Sequence, residues 1–213
     1  MLYFKYLSLV PVIVTTLVAM VRFRQLVPAL RCLAFLIFFS DSIEIVSRVL
    51  GAQQRSNLFI LPIDTLAEFG LLAWMYRLAL RPSVVSRLLP AIIAVFAVAS
   101  LFSYANPPSL VQFNSVQRFA ESLLVIGLVL LYFYKIIREL VIIHLEREPM
   151  FWVSVGLLLY FSGNVFIFVS SNYALRHSKS LSLRLWDIHE LLYMVLYGLY
   201  AWALWMKPST QKL

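Results

Sequence analysis

Apolar residues run along this chain in seven long stretches, separated by short polar segments such as RFRQ at Arg22 and ANPPS at Ala105. Each stretch holds about 20 residues, the length that an α-helix needs to cross the hydrocarbon layer of a membrane. The pattern therefore predicts an all-α fold, a bundle of seven transmembrane helices that forms a single domain over residues 1–213. The predicted helices cover residues 3–21, 26–49, 58–80, 86–104, 114–137, 150–172 and 183–205.

The composition supports a membrane environment. Hydrophobic residues make up 62% of the 213 residues, whereas soluble domains contain about 45–50%. A chain of this length cannot bury so much apolar surface in one water-soluble core. A disordered chain is also excluded, because only 13% of the residues are charged. Cys32 is the single cysteine, so neither an intrachain disulfide nor a cysteine-based metal site is expected.

Basic residues set the expected orientation. The net charge is +8, but no basic stripe with interleaved aromatic residues lies between the apolar stretches, so nucleic acid is not an expected partner. Eleven Lys and Arg residues flank the predicted helices on one side and five on the other. Because the richer side faces the cytoplasm, we expect a cytoplasmic (inner) membrane protein with its N-terminus outside and its C-terminus inside. The first stretch has no small-residue cleavage site before Arg22 and is expected to remain as a helix.

Two parts of the chain resemble each other. LIFFSDSIEIV in the second segment is similar to LLYFSGNVFIFV in the sixth, and IDTLAEFGLLAWMY in the third is similar to WDIHELLYMVLYGLY in the seventh. Ser40 and Ser162 are 122 positions apart, and so are Glu68 and Glu190. This register indicates a 3+1+3 arrangement, two parallel three-helix units joined by the fourth helix. The alternative is chance similarity between apolar helices.

Ionisable residues interrupt the apolar segments at one depth. Seven of the ten acidic residues lie inside predicted helices, although each such residue facing lipid alone would cost about 2.5–3.5 kcal/mol. With a rise of about 1.5 Å per residue, their predicted positions are about 6–16 Å below the outer end of the helices. We therefore expect a polar chamber in the outer half of the bundle. Its predicted ligand-binding residues are Asp41, Glu44, Arg48, Asp64, Glu68, Arg118, Glu121, Asn164, Asp187, His189 and Glu190.

The excess of carboxylates over basic groups suggests what this chamber holds. It favours a bound cation or a small cationic ligand. A divalent metal is one candidate, with His189, Glu190, Asp64 and Glu68 as its ligands, although no His-rich or Cys-rich motif supports it. The alternative is that Arg48 with Glu44 and Arg118 with Glu121 form ion pairs that only join helices. No catalytic residue follows from the sequence, and no other cofactor is indicated.

Resemblance to known families adds little about activity. Seven helices with an outer N-terminus resemble microbial rhodopsins, but none of the five lysines lies in the middle of the last predicted helix, so retinal is not expected. PMFWVSVGLLLYFSGN and IHELLYMVLYGLYAWALW are similar to small uncharacterised bacterial seven-helix membrane proteins. This similarity covers the C-terminal third. It implies a bacterial cytoplasmic membrane protein and no particular activity.

These observations favour a non-enzymatic membrane protein that binds a ligand, as a sensor or as a small-solute carrier. Its partners would be the lipid bilayer, the small or cationic ligand and, for a sensor, a cytoplasmic signalling protein. Ser40, Asp64 and His189 resemble part of the motif of seven-helix metal hydrolases of the alkaline ceramidase and adiponectin receptor type, which leaves open a membrane-embedded metal-dependent hydrolase. The chain departs from that motif because Glu44 stands where the family has a histidine, and because the seventh segment has one histidine. The third alternative is a structural subunit of a membrane complex, which would bind no ligand by itself.

Overall fold

The computed structural model describes residues 7–55, 57–105, 115–139, 145–177 and 179–206. In these ranges all regular structure is helical, which confirms the predicted all-α class. Short 3₁₀ turns at Phe23–Gln25, Leu58–Ile60 and Leu145–Arg147 accompany seven α-helices. The α-helices are α1 (Leu9–Arg22), α2 (Pro28–Ala52), α3 (Leu61–Ala79), α4 (Val84–Ala105), α5 (Ser115–Glu139), α6 (Pro149–His177) and α7 (Lys179–Trp205).

Each helix overlaps one predicted segment. Parts of two segments, residues 3–6 and residue 114, lie outside the described residues, as do Lys5, Lys207 and Lys212 of the charge count. Prolines set several helix starts. Pro28 and Pro62 occupy the first turns of α2 and α3. Backbone N–H groups in the first turn have no hydrogen-bond partner within the helix, so the missing N–H of proline costs nothing there.

Among the described residues, three helices are long and apolar enough to cross a membrane, which fits a multi-pass membrane protein. They are the parts of α4, α5 and α6 at Val84–Phe102, Val116–Glu139 and Pro149–Ile167. Apolar side chains on their surfaces fit a lipid environment: Val84 is 72% exposed and Val95 is 71% exposed. The helices α2 and α3 carry acidic and basic residues along their length, among them Asp41, Glu44, Asp64 and Glu68.

Six helices pack in a closed ring, in the order α1, α2, α3, α5, α6, α7 and back to α1. The helix α4 packs mainly on the outside of α3, where the rings of Phe69 and Phe96 lie 4.5 Å apart. The ring closes between α1 and α7, because the Thr15 hydroxyl lies 2.8 Å from the Tyr197 carbonyl oxygen. The fourth helix therefore stands outside a ring made by the other six.

The two ends of this ring differ. At the end where α1 and α7 finish, the Arg22 guanidinium donates a hydrogen bond of 2.6 Å to the Trp205 carbonyl. This half contains a buried pair of hydroxyl groups, since Tyr76 and Ser154, both fully buried, lie 2.8 Å apart. The opposite end contains a cavity.

Candidate functional site

A chamber of about 420 Å³ lies inside the ring, at the end where α1, α3, α5 and α7 begin. All six ring helices contribute to its wall, whereas no lining residue comes from α4. The floor of the chamber is formed deep in the bundle by residues such as Leu36, Ile37 and Tyr200. The bundle therefore encloses a pocket of the size that small-molecule ligands occupy.

One side of the chamber is built around Arg118 of α5. Its guanidinium lies 2.5 Å from the Asp64 carboxylate, 2.6 Å from the Glu68 carboxylate and 3.1 Å from the Glu121 carboxylate. Asp64 and Glu68 are four residues apart on α3, so one face of that helix presents both acids to one arginine. One cation therefore joins three anions, and the second Glu121 oxygen is buried without a hydrogen-bond partner.

A second ion pair lies nearer the mouth of the chamber. Arg48 and Glu44, one turn apart on α2, are 2.6 Å apart, and their side chains are 32% and 46% exposed. The Arg118 side chain is only 12% exposed and Glu121 is fully buried. Exposure thus falls from α2 towards α5, so the Arg48–Glu44 pair is accessible while the Arg118 cluster is largely enclosed.

Aromatic side chains of α7 form the other side of the chamber. Trp186, His189, Tyr193 and Tyr197 follow each other along one face of the helix, with neighbouring ring centres 4.4–6.4 Å apart. Tyr160 of α6 joins this row at 5.7 Å from the His189 ring. The chamber therefore lies between a charged wall and an aromatic wall.

The structure brings seven of the eleven predicted residues to the chamber wall. Five of them belong to the ion pairs around Arg48 and Arg118, on α2, α3 and α5. The other two lie on α7. The seven are Glu44, Arg48, Asp64, Glu68, Arg118, His189 and Glu190.

The other four predicted residues do not line the chamber. Glu121 is buried behind Arg118, and Asn164 lies behind the aromatic wall, where its side-chain oxygen is 2.9 Å from the Nδ1 atom of His189. Asp41 accepts a hydrogen bond of 2.5 Å from Thr16 of α1. Asp187 is half-buried on α7 and is not part of the wall. These four residues therefore face other directions around their helices.

The predicted metal-ligand set is not assembled. Within the described ranges, no three His, Cys, Asp or Glu side chains are grouped so that they could hold an ion. Asp64 and Glu68 instead surround the Arg118 guanidinium, which occupies the position that a bound cation would take between them. His189 lies against Asn164 and Tyr160 on the aromatic side.

Two contributions to the chamber were not predicted. Trp186, Tyr193, Tyr197 and Tyr200 recur along α7 at a helical spacing that places them on one face, and this pattern is visible in the sequence. The contribution of α1 through Val12 and its neighbours has no comparable signal, because α1 carries no charged residue between Leu9 and Met20.

Comparison with protein-family models, with curated proteins and with solved structures finds no match to this chain. The chemistry of the chamber is therefore the basis for assigning a function.

Proposed function

We propose that this protein is a carrier that binds a small organic cation in the chamber. In this proposal all seven helices span a cytoplasmic membrane, the N-terminus lies outside, and the chamber opens to the exterior. The single observation that carries the proposal is the composition of the chamber wall, in which excess carboxylates face a row of aromatic rings.

Charge complementarity supports a cationic ligand. Four carboxylates of the wall, from Glu44, Asp64, Glu68 and Glu190, face two guanidinium groups, from Arg48 and Arg118. Both guanidinium groups are already paired with carboxylates. Glu190 forms no ion pair with any described residue, so its carboxylate is the one best placed to pair with a ligand. An anionic ligand would meet a surplus of negative charge in a confined, poorly solvated space.

The aromatic wall supports an organic cation over a metal ion. The faces of Tyr and Trp rings attract ammonium groups by about 0.5–2 kcal/mol, and they also bury apolar carbon atoms of a ligand. Trp186, Tyr193 and Tyr197 supply such rings opposite the acids. A hard divalent ion would instead need several convergent oxygen ligands, and Arg118 already occupies the carboxylates of α3.

The helix arrangement favours a carrier over a sensor. If helices 1–3 and helices 5–7 form two units of a parallel repeat, the contacts of α3 with α5 and of α7 with α1 are the two equivalent contacts between those units. The chamber then lies between the two units. Carriers built from repeats bind their solute at such an interface and move one unit against the other. The packed half around Tyr76 and Ser154 would then close the inner side in this outward-open form.

A matched set of ligands tests the proposal with protein reconstituted in nanodiscs. Phenethylammonium, phenethyl alcohol and phenylacetate share one ring and differ in charge. We expect saturable calorimetric binding of the cation, and weaker or no binding of the other two. Glu190→Gln should weaken binding of the cation by about tenfold or more, because it removes a charge-assisted hydrogen bond. Asp187→Asn, on the same helix but outside the wall, should leave the affinity unchanged.

Other results would contradict the proposal in distinct ways. Equal affinity for phenylacetate, or equal effects of both substitutions, would rule out cation recognition in the chamber. Binding without counterflow of labelled phenethylammonium in proteoliposomes would indicate a sensor with a cytoplasmic partner. No binding of any of the three would favour the structural subunit. Binding that requires an added divalent metal, lost with a chelator, would favour the metal-dependent hydrolase.

A further inference from the structure

A second cavity lies on the outside of the ring, between α3 and α4. It is a groove of about 400 Å³ whose wall is formed by apolar side chains. On α3 the lining residues Ala67, Gly70, Leu71 and Trp74 follow the spacing of one helix face, and α4 adds Pro90 and Ile93. This groove is separate from the chamber, which no residue of α4 lines.

Basic residues lie just beyond one end of this groove. Arg77 is one turn after Trp74 on α3, and its guanidinium stacks 4.2 Å from the centre of the Trp74 ring. Arg87 is one turn before Pro90 on the groove-lining side of α4, and it is exposed. Both helices meet at this end, since α3 finishes at Ala79 and α4 begins at Val84. Each helix therefore adds a positive charge one turn beyond its last groove residue.

The arginines near this end of the groove are not neutralised by acidic residues of the protein. None of the carboxylates in the described ranges forms an ion pair with Arg77, Arg81 or Arg87. Lys135 instead fixes the backbone of the junction, because its ammonium group donates hydrogen bonds to the carbonyl oxygens of Ala79 and Arg81. The junction thus presents a fixed backbone with unpaired positive charge next to an apolar groove.

We infer that this groove binds an anionic phospholipid, with an acyl chain along α3 and α4 and the phosphate on Arg77 and Arg87. The combination matches both parts of such a lipid, since the groove lies in an apolar helix surface and the arginines lie at the helix ends where headgroups are found. Clusters of basic residues beside membrane helices bind anionic headgroups. In the proposed orientation this end faces the cytoplasmic leaflet, where anionic lipids are concentrated.

Gly70 provides the sharpest test of the acyl-chain site. Apart from the backbone of its own helix, a Cβ atom at Gly70 would meet no atom within 4 Å, so Gly70→Leu begins in open space and places a large apolar side chain in the groove. Loss of a mid-helix glycine also favours the helix by about 1 kcal/mol, so the variant should keep or increase its thermal stability. The matched control is Gly198→Leu, at an exposed glycine of α7 with equally open surroundings.

The headgroup site is tested by Arg77→Gln with Arg87→Gln. Each basic residue near an anionic surface contributes about a fivefold factor in affinity, so we expect binding to weaken by about thirtyfold. Arg24→Gln removes an exposed charge from the α1–α2 connection at the same end and should change the affinity little.

The measurement is native mass spectrometry of delipidated protein titrated with phosphatidylglycerol or phosphatidylcholine of identical chains. The expected result is one tightly held phosphatidylglycerol and weaker phosphatidylcholine, with the first lost in Gly70→Leu and in the double arginine variant but retained in both controls. Equal affinity for the two lipids, or equal effects of test and control variants, would overturn the proposal. A dimer abolished by Gly70→Leu, with no bound lipid, would also overturn it, because a second copy would then fill the groove.

Discussion

Replacing Arg118 by glutamine is expected to lower the free energy of unfolding by about 3–5 kcal/mol, because it leaves buried carboxylates without their cation. Asp64, Glu68 and Glu121 all contact this one guanidinium. An amide cannot balance their charges, and they would repel one another in a poorly solvated part of the bundle. Unfolding in a titration with sodium dodecyl sulfate, followed by tryptophan fluorescence, measures the change.

The control for this prediction separates charge from packing. Arg48→Gln removes the other paired arginine of the chamber, but the Arg48–Glu44 pair is partly exposed to solvent, so its loss should cost only about 0–1 kcal/mol. Neutralising Asp64, Glu68 and Glu121 as amides in the Arg118→Gln background should recover most of the lost stability. If Arg118→Gln is as stable as the wild type, or if neutralisation recovers nothing, the cluster does not join α3 and α5 by charge.

Filling the chamber should abolish binding of phenethylammonium. Ser40 of α2 lines the chamber, so Ser40→Phe would place a ring in the space that the ligand needs. We expect the affinity to fall by about a hundredfold or more, because the added ring and the ligand would clash. Calorimetry in nanodiscs measures this, and the thermal stability of the variant shows whether it folds.

Ser42 gives a matched control only two residues away. Its side chain is exposed on the outer face of α2, where the hydroxyl bonds the Phe38 carbonyl of its own helix. Ser42→Phe should therefore bind phenethylammonium as the wild type does. If Ser40→Phe folds and binds normally, the ligand does not enter the chamber, and if both variants lose binding, the effect is not local.

The sequence was enough to predict that polar residues of different helices meet at one level, but not the direction in which each faces. The level follows from the rise per residue, and Arg118 does lie beside Asp64 and Glu68. Direction depends on which helices are neighbours. Asn164 and Asp187 do not line the chamber, and Asn164 instead contacts His189 of α7.

The order of the ring explains the remaining differences. The contact between α1 and α7 adds α1 to the wall of the chamber. The position of α5 beside α3 gives Asp64 and Glu68 a guanidinium in place of a metal ion. Neither contact could be inferred from helix spacing, because both join segments that are far apart in sequence.

The reactivity of a cysteine at Ser40 tests most directly whether the chamber opens outside and carries negative charge. In a Cys32→Ala background, Ser40→Cys and Ser42→Cys are treated in spheroplasts with membrane-impermeant methanethiosulfonates, one cationic and one anionic. The account predicts that Ser40→Cys reacts from outside, about tenfold or more faster with the cationic reagent, and that Ser42→Cys reacts with neither. A faster reaction with the anionic reagent, or reaction only in inside-out vesicles, would contradict it.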